Sequence, residues 1–287
     1  MAILFGQASP LYFRQVFASP DLATRIDRAE GRLCAAIARE FQDAKVFEVD
    51  GGVGVFVERD SPSNKLIGVG FSGEVDDAVL SGIEAHFAER SARLQAEIST
   101  LADPAVHRQL AARGYVPGGF ENVLGHALHG IVAPPPPDVT VEQVSLSDLA
   151  TLADVMAEGF SSPDIGGVGG DALPPAGDIR RLFALTMRAP GFRGYIARIG
   201  GGIVGGAALR IDDGVAQFSG AATLPAFRRR GVQTVLLRAR LADASQAGCS
   251  IGVVVTQPAS KSQQNVQREG FSLLYARQLL IKPAPHA

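Results

Sequence analysis

The sequence predicts an α/β (α+β) fold built from two related units in tandem. A run of four prolines, 134–137, divides the 287 residues into nearly equal halves, and such a run fits neither a helix interior nor a central strand. Helix-like and strand-like patterns alternate in both halves. The order of helix, strand, helix, glycine–aromatic pair and strand recurs after 156 positions, so that Gly114 and Tyr115 match Gly270 and Phe271.

The second half has the clearer pattern. Residues 139–144 alternate apolar and polar side chains, as a strand does, and Ser147 can cap a helix that ends near Gly159. Residues 161–177 are rich in glycine and proline, which predicts a loop. The remaining segments are a helix opened by Asp178, strands at 194–199, 203–211 and 214–223, a loop to Gly231, a helix ended by Gly248, a strand at 251–255, a helix at 260–269 and one or two strands at 271–281.

The first half ends with the same series of elements. We predict a helix at 75–90, a strand at 94–99, a helix at 104–113 and a strand at 120–128. The shared order, more than the few identical residues, indicates an internal repeat. We therefore place a first domain at 1–132, a proline-rich linker at 133–138 and a second domain at 139–287.

Composition excludes several classes of protein. Hydrophobic residues make up 46% and charged residues 20% of the chain, so a largely disordered chain is not expected. A net charge of −2 without a basic tail disfavours a nucleic-acid partner. No apolar run approaches the roughly 18 residues of a membrane span, and the first residues lack the basic start of a signal peptide, so we expect a cytoplasmic protein.

Cysteine and histidine positions give no sign of a metal site. Cys34 and Cys249 lie in apolar surroundings, which is typical of small core residues rather than of a disulfide framework. The five histidines show no ligand spacing with cysteines or carboxylates. We therefore expect no bound metal.

A basic loop, Thr223 to Gln233, joins a predicted strand to a predicted helix. Its sequence is TLPAFRRRGVQ. A helix start presents unpaired N–H groups and the positive end of the helix dipole, which together suit a phosphate. Gly231 lets the backbone approach a ligand closely. The alternative is a surface turn whose arginines are simply solvated.

This loop resembles the acetyl-CoA loop of the GNAT superfamily of acyl-CoA-dependent N-acyltransferases. The family pattern is Arg/Gln-x-x-Gly-x-Gly/Ala after Val-x-Pro. Arg228 and Gly231 fill the first two places, and Thr223 to Pro225 stand for Val-x-Pro. Gln233 departs from the third place. With the flanking elements, the resemblance covers the whole second half, and it implies a mixed, mostly antiparallel central sheet flanked by helices in each unit.

The resemblance also implies where the co-substrate acetyl-CoA binds. The strand before the loop and the strand after the helix splay apart in such enzymes, and backbone groups beside the gap hold the pantetheine arm. Amides at the helix start hold the pyrophosphate, and Ser260, Ser262 and Asn265 lie where the thiol end emerges. The implied cofactor-binding residues are Ala222, Thr223, Leu224, Arg229, Arg230, Gly231, Val232, Gln233, Thr234 and Asn265.

The first half carries the opposite charge at the matching position. Ser72 to Asp77, with three carboxylates, corresponds to Arg228 to Gln233, and carboxylates repel a pyrophosphate. The first half is thus interpreted as a degenerate GNAT-like unit that binds no CoA. Its expected roles are to complete the fold and to wall the acceptor site, since clefts between domains are common ligand sites.

Acid–base residues are not identified by the sequence. Many GNAT enzymes have a tyrosine four residues before the glycine–aromatic pair, where this chain has Val266. Tyr195, Tyr275 or water could replace it as proton donor, and each tyrosine could equally be a core residue. Gln217 and Ser219 lie on the strand facing the acceptor, and neither is a strong base. Asp164 and Asp171 could bind a cationic acceptor or be solvated.

The leading hypothesis is an N-acyltransferase that moves acetyl from acetyl-CoA to a primary amine of a small or amino-acid-like molecule by direct attack. The alternative is a non-catalytic GNAT-fold module that binds CoA or another ligand as a sensor or interaction partner. A third possibility is a loop that binds a nucleotide phosphate, although the chain lacks the P-loop pattern. Monomer and homodimer both remain open.

Overall fold

A single sheet of eleven strands joins the two halves of the chain. The computed structural model describes residues 16–128, 138–162 and 176–284. The first half contains α1 (Pro20–Ala38), β1 (Lys45–Val49), β2 (Gly52–Phe56), β3 (Lys65–Ile67), α2 (Asp77–Glu89), β4 (Leu94–Ser99), α3 (Pro104–Ala112) and β5 (Val116–Ala127). The second half contains β6 (Thr140–Gln143), α4 (Leu149–Phe160), α5 (Ala176–Thr186), β7 (Phe192–Ile199), β8 (Gly202–Asp212), β9 (Val215–Thr223), α6 (Val232–Gln246), β10 (Ile251–Thr256), α7 (Lys261–Arg268) and β11 (Ser272–Lys282).

The sheet is mixed and mostly antiparallel, as expected. Its strand order is β1-β2-β3-β4-β11-β5-β10-β9-β8-β7-β6. Only two neighbouring pairs among the described strands are parallel, namely β3 with β4 and β9 with β10. Each half contributes one of these pairs, at the same point in its order of elements. The repeated series of elements predicted from the sequence is therefore confirmed.

The two halves exchange their last strands. The closing strand of the first half, β5, pairs with β10 of the second half, while β11 pairs with β4 of the first half. β5 and β11 also pair with each other. Side chains repeat the exchange: His107 Nδ1 lies 3.0 Å from Gln278 Oε1, and Asn122 Nδ2 donates to Gln263 Oε1 at 3.1 Å. The shift of 156 positions takes His107 to Gln263 and Asn122 to Gln278, so the two contacts are equivalent, which indicates pseudo-two-fold symmetry.

Helices cover both faces of the sheet. Successive residues of a strand point to opposite faces, and on β10 Val254 packs in one cluster with Val232 of α6 and Val266 of α7. Its neighbour Val253 packs in another cluster with Ala23 of α1. Thus α6 and α7 lie on one face of the sheet centre and α1 on the other.

Helix α1 contacts strands of both halves. Gly31 lies against β2 and β3, because a Cβ there would be 2.8 Å from Val53 Cγ2 and 3.4 Å from Ile67 Cγ2. The carbonyl of Ala29 accepts a hydrogen bond from Arg210 Nη1 of β8 at 2.8 Å. This double contact accounts for the burial of nine residues of the helix, while Arg28 and Arg32 stay exposed.

Several local expectations are corrected by the structure. Residues 16–74 were given no elements from the sequence, yet they contain α1 and β1 to β3. The start of α1 does carry a helix signal, since Ser19 Oγ accepts from the Leu22 N–H at 3.2 Å and a proline follows Ser19. A 3₁₀ turn precedes α4, so that Ser147 is not its cap. α5 begins at Ala176, two residues before Asp178.

Both cysteines are buried and unpaired, as expected of core residues. Burial raises the pKa of the Cys34 thiol to about 12. Within the described part of the chain, no helix combines the length and apolar character that a membrane crossing requires. In the same part, no group of three or more histidine, cysteine or acidic residues is arranged to hold a metal ion.

Candidate functional site

The parallel strands β9 and β10 separate towards their carboxyl ends. Their pairing ends with Gln217 opposite Val253, although β9 continues to Thr223 and β10 to Thr256. Gly220, with φ of +53°, forms a bulge in β9 over this stretch, and bulges bend the strand that carries them. The result is a gap in the sheet, as the resemblance implied.

The backbone between β9 and α6 presents a row of unpaired donors. Arg229 and Gly231 both have left-handed φ angles, +62° and +78°, and such alternation of conformation can form an anion-binding concavity. The N–H groups of residues 229–234 donate to no other described residue. Gly231 caps α6 without a side-chain hydrogen bond. These six adjacent donors lie at the positive end of the α6 dipole, where an anion is favoured.

Arg229 and Arg230 provide the exposed positive charge of this loop. Both side chains are accessible to solvent. The Arg230 guanidinium lies 5.6 Å from the ring centroid of Phe227, which restricts it near the start of α6. Two cations beside six N–H donors make this the most anion-attracting part of the loop.

Arg228 has a different role from its two neighbours. Its guanidinium is partly buried and donates to the backbone carbonyls of Thr223 (3.3 Å), Gly159 (3.1 Å) and Ser162. These bonds tie the loop to the end of β9 and to the carboxyl end of α4, where a cation interacts favourably with the helix dipole. Sequence reasoning missed this contact, although Arg228 fills the first place of the family pattern.

Gln233 and Asn265 contact each other across the gap between α6 and α7. Asn265 Nδ2 donates to Gln233 Oε1 at 2.9 Å, and Asn265 Oδ1 accepts from Arg268 at 3.1 Å. The glutamine that departs from the family pattern therefore points towards α7. It fixes the orientation of the asparagine that the sequence suggested as a cofactor partner.

The other suggested residues line the same end of the sheet mainly through their backbone. Ala222 and Thr223 end β9, and Leu224 precedes the 3₁₀ turn Pro225–Phe227. Val232 is 2% exposed and packs in the core, so that only its N–H faces the loop. Thr234 lies in the first turn of α6. All ten suggested cofactor residues thus come from the end of β9, the loop, the start of α6 and α7.

At the matching end of α2 in the first half, side chains accept from three backbone N–H groups, those of Val75, Ala78 and Val79. Asp76 Oδ1 accepts from the N–H groups of Ala78 (2.9 Å) and Val79 (3.0 Å). Gln109 accepts from Val75 N–H at 3.0 Å and donates to the Val75 carbonyl at 2.6 Å. Gln109 is the counterpart of Asn265. The start of α2 is therefore partly occupied by two side chains of the first half, Asp76 before α2 and Gln109 of α3.

Both tyrosines considered as proton donors are engaged elsewhere. The Tyr195 hydroxyl donates to Asp243, near the carboxyl end of α6 and so roughly 15–20 Å along the helix from the loop. The Tyr275 hydroxyl donates to buried Asp27 at 2.6 Å. Burial is the largest cause that raises the pKa of each tyrosine. Neither is poised to give up a proton near neutral pH.

The other residues suggested for acid–base roles are Val266, Gln217, Ser219, Asp164 and Asp171. Val266 is 8% exposed in the core, and Gln217 Oε1 accepts from Arg210 at 2.7 Å. The buried Ser219 hydroxyl, on β9 beside the gap, has no hydrogen-bond partner among the described residues. Asp164 and Asp171 lie outside the described residues. No proton acceptor emerges from this group of residues.

Residues 169–271 match the model of the acetyltransferase (GNAT) family. The matched segment contains the gap, the donor loop, α6, β10 and α7. This part of the second half is therefore similar to a GNAT acetyltransferase domain. None of the curated proteins compared with the sequence matches it.

Solved structures with the same fold extend over nearly the whole chain. A GCN5-related N-acetyltransferase from Kribbella flavida is 19% identical, with a TM-score of 0.65 over 92% of this chain and 97% of that one. One from Sphaerobacter thermophilus is 16% identical, with a TM-score of 0.57 over 94% and 96%. A tandem GNAT protein from the clavulanic acid biosynthesis pathway is 13% identical, with a TM-score of 0.57 over 93% and 94%. The tandem GNAT fold is therefore shared by both halves together.

Proposed function

We propose that this GNAT protein transfers an acetyl group from acetyl-CoA to a primary amine of a small or amino-acid-like molecule. The observation that carries the proposal is the row of six N–H groups, 229–234, that donate to no described residue and lie beside the gap between β9 and β10. A pyrophosphate needs several donors and positive charge at one place. A thioester arm needs a channel leading away from that place, and the gap supplies one.

The residues present fit this ligand at one end of the sheet only. Around Gly231 no described residue accepts from the N–H groups of 229–234, and Arg229 and Arg230 are exposed. Around Asp76 side chains occupy three N–H groups, and the local charge is negative. We therefore assign the cofactor to the second half. Acetyl-CoA, when bound, supplies an acyl carbon activated by its thiolate leaving group.

Calorimetry with acetyl-CoA tests the cofactor assignment. We expect saturable binding by the full chain. Absence of heat at millimolar acetyl-CoA, with a protein shown to be folded by its circular dichroism spectrum, would remove the basis of the proposal.

Charge reversal tests the loop itself. In the double variant Arg229→Glu, Arg230→Glu, we expect acetyl-CoA to bind at least ~10-fold more weakly, equivalent to about 1.4 kcal/mol, because two cations next to the donors become anions. Dissociation constants from calorimetry at one fixed salt concentration provide the measurement.

A matched control separates local charge from net charge. Arg93→Glu with Arg108→Glu makes the same change at two exposed arginines of the first half, and we expect it to leave the affinity within about 2-fold, because exposed charges farther apart than the Debye length are largely screened. Equal losses in both double variants would contradict a cofactor loop at 229–234.

The valine at position 266 favours a second candidate function. A module that binds CoA without catalysis would need no proton donor there, and Val266 is a core residue. Release of CoA thiol from acetyl-CoA, measured with a panel of amino acids, polyamines and aminosugars, separates the two functions. Turnover with any amine excludes the non-catalytic module.

A further inference from the structure

The exchanged strand β5 places residues of the first half beside the gap. Its pairing with β10 runs from Ala127 opposite Ile251 to Asn122 opposite Thr256. Since β10 ends at Thr256, Glu121 is the first residue of β5 without a β10 neighbour. Adjacent strands lie about 4.8 Å apart. The Glu121 backbone is therefore roughly one to two strand spacings from the space between β9 and β10.

The side chain of Glu121 lies on the face opposite α6 and α7. Residues two apart on a strand share a face, and Val123 packs in the cluster around α1. Val255, which pairs with Val123, packs against the same cluster. The cofactor loop approaches the gap from the α6 side. A carboxylate on the other face is thus placed for a molecule that reaches the gap from the opposite direction.

Glu121 is the least constrained acid of a buried charge network. Its side chain is 26% exposed, and among the described residues its one ion-pair contact is Arg277 Nη1 at 4.0 Å. No described residue donates a hydrogen bond to it. By contrast, Arg277 is fully buried and contacts Asp27 at 2.7 Å and Glu30 at 2.6 Å. A carboxylate that is partly open and lacks hydrogen bonds can exchange protons with solvent.

Charges from four neighbouring elements act on this group. α1 contributes Asp27 and Glu30, β3 contributes Lys65, β4 contributes Glu97 and β11 contributes Arg277. With Glu121, four carboxylates share two cations. Burial, followed by the negative charge of Glu97, raises the pKa of Glu121 to about 7, and Lys65 opposes the rise. A general base is most effective when its pKa lies near the working pH.

We propose that Glu121, contributed by the degenerate first half, accepts through an intervening water the proton that the acceptor amine must lose. This inference rests on the proposed acetyl transfer. The ammonium group gives one proton through water to the Glu121 carboxylate. The neutral nitrogen then bonds to the acetyl carbonyl carbon while the carbon–sulfur bond breaks. The CoA thiolate leaves with the electron pair of that bond, and the new amide nitrogen then loses its extra proton. Of the two protons released, one ends on the thiolate and the other in solvent.

The pseudo-symmetric partner of Glu121 differs from it in charge and in burial. Position 277 matches position 121 after the shift of 156, and the two residues face each other across the β5–β11 pair. Arg277 of β11 lies beside β4 of the first half, where its side chain is fully buried and ion-paired. Lys65 of β3 forms an ion pair with Glu97 of β4 at 2.7 Å. The matching positions thus carry a buried cation, Arg277, beside β4 and a partly exposed carboxylate, Glu121, beside the gap between β9 and β10.

Steady-state kinetics as a function of pH test the assignment. Wild-type kcat/KM for a primary amine from the panel is expected to rise through pH 7 as Glu121 loses its proton. Glu121→Gln is expected to lower kcat/KM at pH 7 by about 100-fold, at the low end for general base catalysis. In this variant the rise of kcat/KM near pH 7 should disappear. The difference in kcat/KM between the variant and wild type should shrink as the pH approaches the pKa of the amine. The acetyl-CoA dissociation constant, from calorimetry, should stay within 2-fold.

Two variants keep the outcome interpretable. Glu121→Asp retains a carboxylate and is expected to keep a pH-dependent rise with part of the activity, while Glu74→Gln, an exposed acid of the first half, should behave as wild type. If Glu121→Gln binds acetyl-CoA normally and keeps the wild-type pH profile, the inference is wrong while the proposed function stands. If wild type neither binds acetyl-CoA nor acetylates any amine, the proposed function fails, and the inference fails with it.

Discussion

Gly231 has a left-handed backbone, with φ of +78°, directly before the first residue of α6. A Cβ built on it would meet no atom within 4 Å. Space is therefore not the constraint, and the requirement for glycine comes from the backbone conformation itself. That conformation is what allows the loop to reverse direction while its N–H groups stay unpaired.

Replacing this glycine by alanine should destabilise the protein. Gly231→Ala is expected to lower the free energy of unfolding by about 1–2 kcal/mol, the cost of a left-handed residue with a Cβ. Gly82→Ala is the control, because Gly82 lies inside α2 with open space and no positive φ. Alanine there should raise stability by about 0.5–1 kcal/mol. Urea denaturation measures both, and changes of the same sign would refute the explanation.

Arg228 shows how neighbouring residues of one type can differ in role. Three consecutive arginines appear equivalent in the sequence, yet the structure gives Arg228 three backbone carbonyls as acceptors and leaves Arg229 and Arg230 exposed. The family pattern names the first arginine, and its contacts are those of a support for the loop. The positive charge available to a ligand comes from the other two.

The starts of α6 and α2 are matching positions of the repeat, and they differ in their hydrogen bonds. Each helix follows the parallel strand of its half and begins after a glycine-containing loop. At the α2 start, Asp76 caps the helix through its side chain, and Gln109 accepts from the N–H of Val75, the residue before Asp76. The α6 start has neither kind of contact among the described residues. A helix end without a cap is less stable by itself and more available to a ligand.

Removing the cap of α2 should cost stability without creating a second cofactor site. Asp76→Ala is expected to lower the free energy of unfolding by about 1 kcal/mol, while acetyl-CoA still binds once per chain, because Gln109 and the remaining acids still occupy that end. Asp103→Ala, which removes the cap of α3, serves as the control. A stoichiometry of two in calorimetry would show that the cap alone had closed the first half.

Strand exchange makes the two halves one folding unit. Without β5, the second half would leave one edge of β10 and one edge of β11 unpaired, and unpaired strand edges promote aggregation. Val123 and Leu124 of β5, both fully buried, would be lost from clusters that contain α1 and α6 residues. The proline segment therefore divides the sequence but not the sheet.

The halves should not fold separately. A fragment of residues 139–287 is expected to aggregate or to lack a cooperative thermal transition, and co-expression with residues 1–132 should restore one. Circular dichroism melts and size-exclusion chromatography are the measurements. An intact chain cleaved within 133–137 is the control and should keep its transition, because both exchanged strands remain. A cooperative transition in 139–287 alone, near that of the full chain, would contradict the argument.

Most of the second half could be predicted from local pattern. The bounds of α6, β10 and α7 agree with the expectation within one or two residues, since glycine stops, an N-cap serine and β-branched runs act over a few neighbours. The sequence analysis missed α1, even though Ser19 and Pro20 open it and its apolar residues favour one face.

The sequence by itself determined the order of elements from residue 75 onward, the repeat, the donor loop and the reversal of charge between the halves. Each depends on residue types within a short segment or on a direct comparison of two segments. Only the tertiary structure decided that β5 and β11 change places, that Arg228 supports the loop and that Glu121 lies beside the gap. These depend on contacts between segments more than 60 residues apart, such as β5 with β10 and Arg228 with the end of α4, and no local propensity specifies which distant segment a given segment will join.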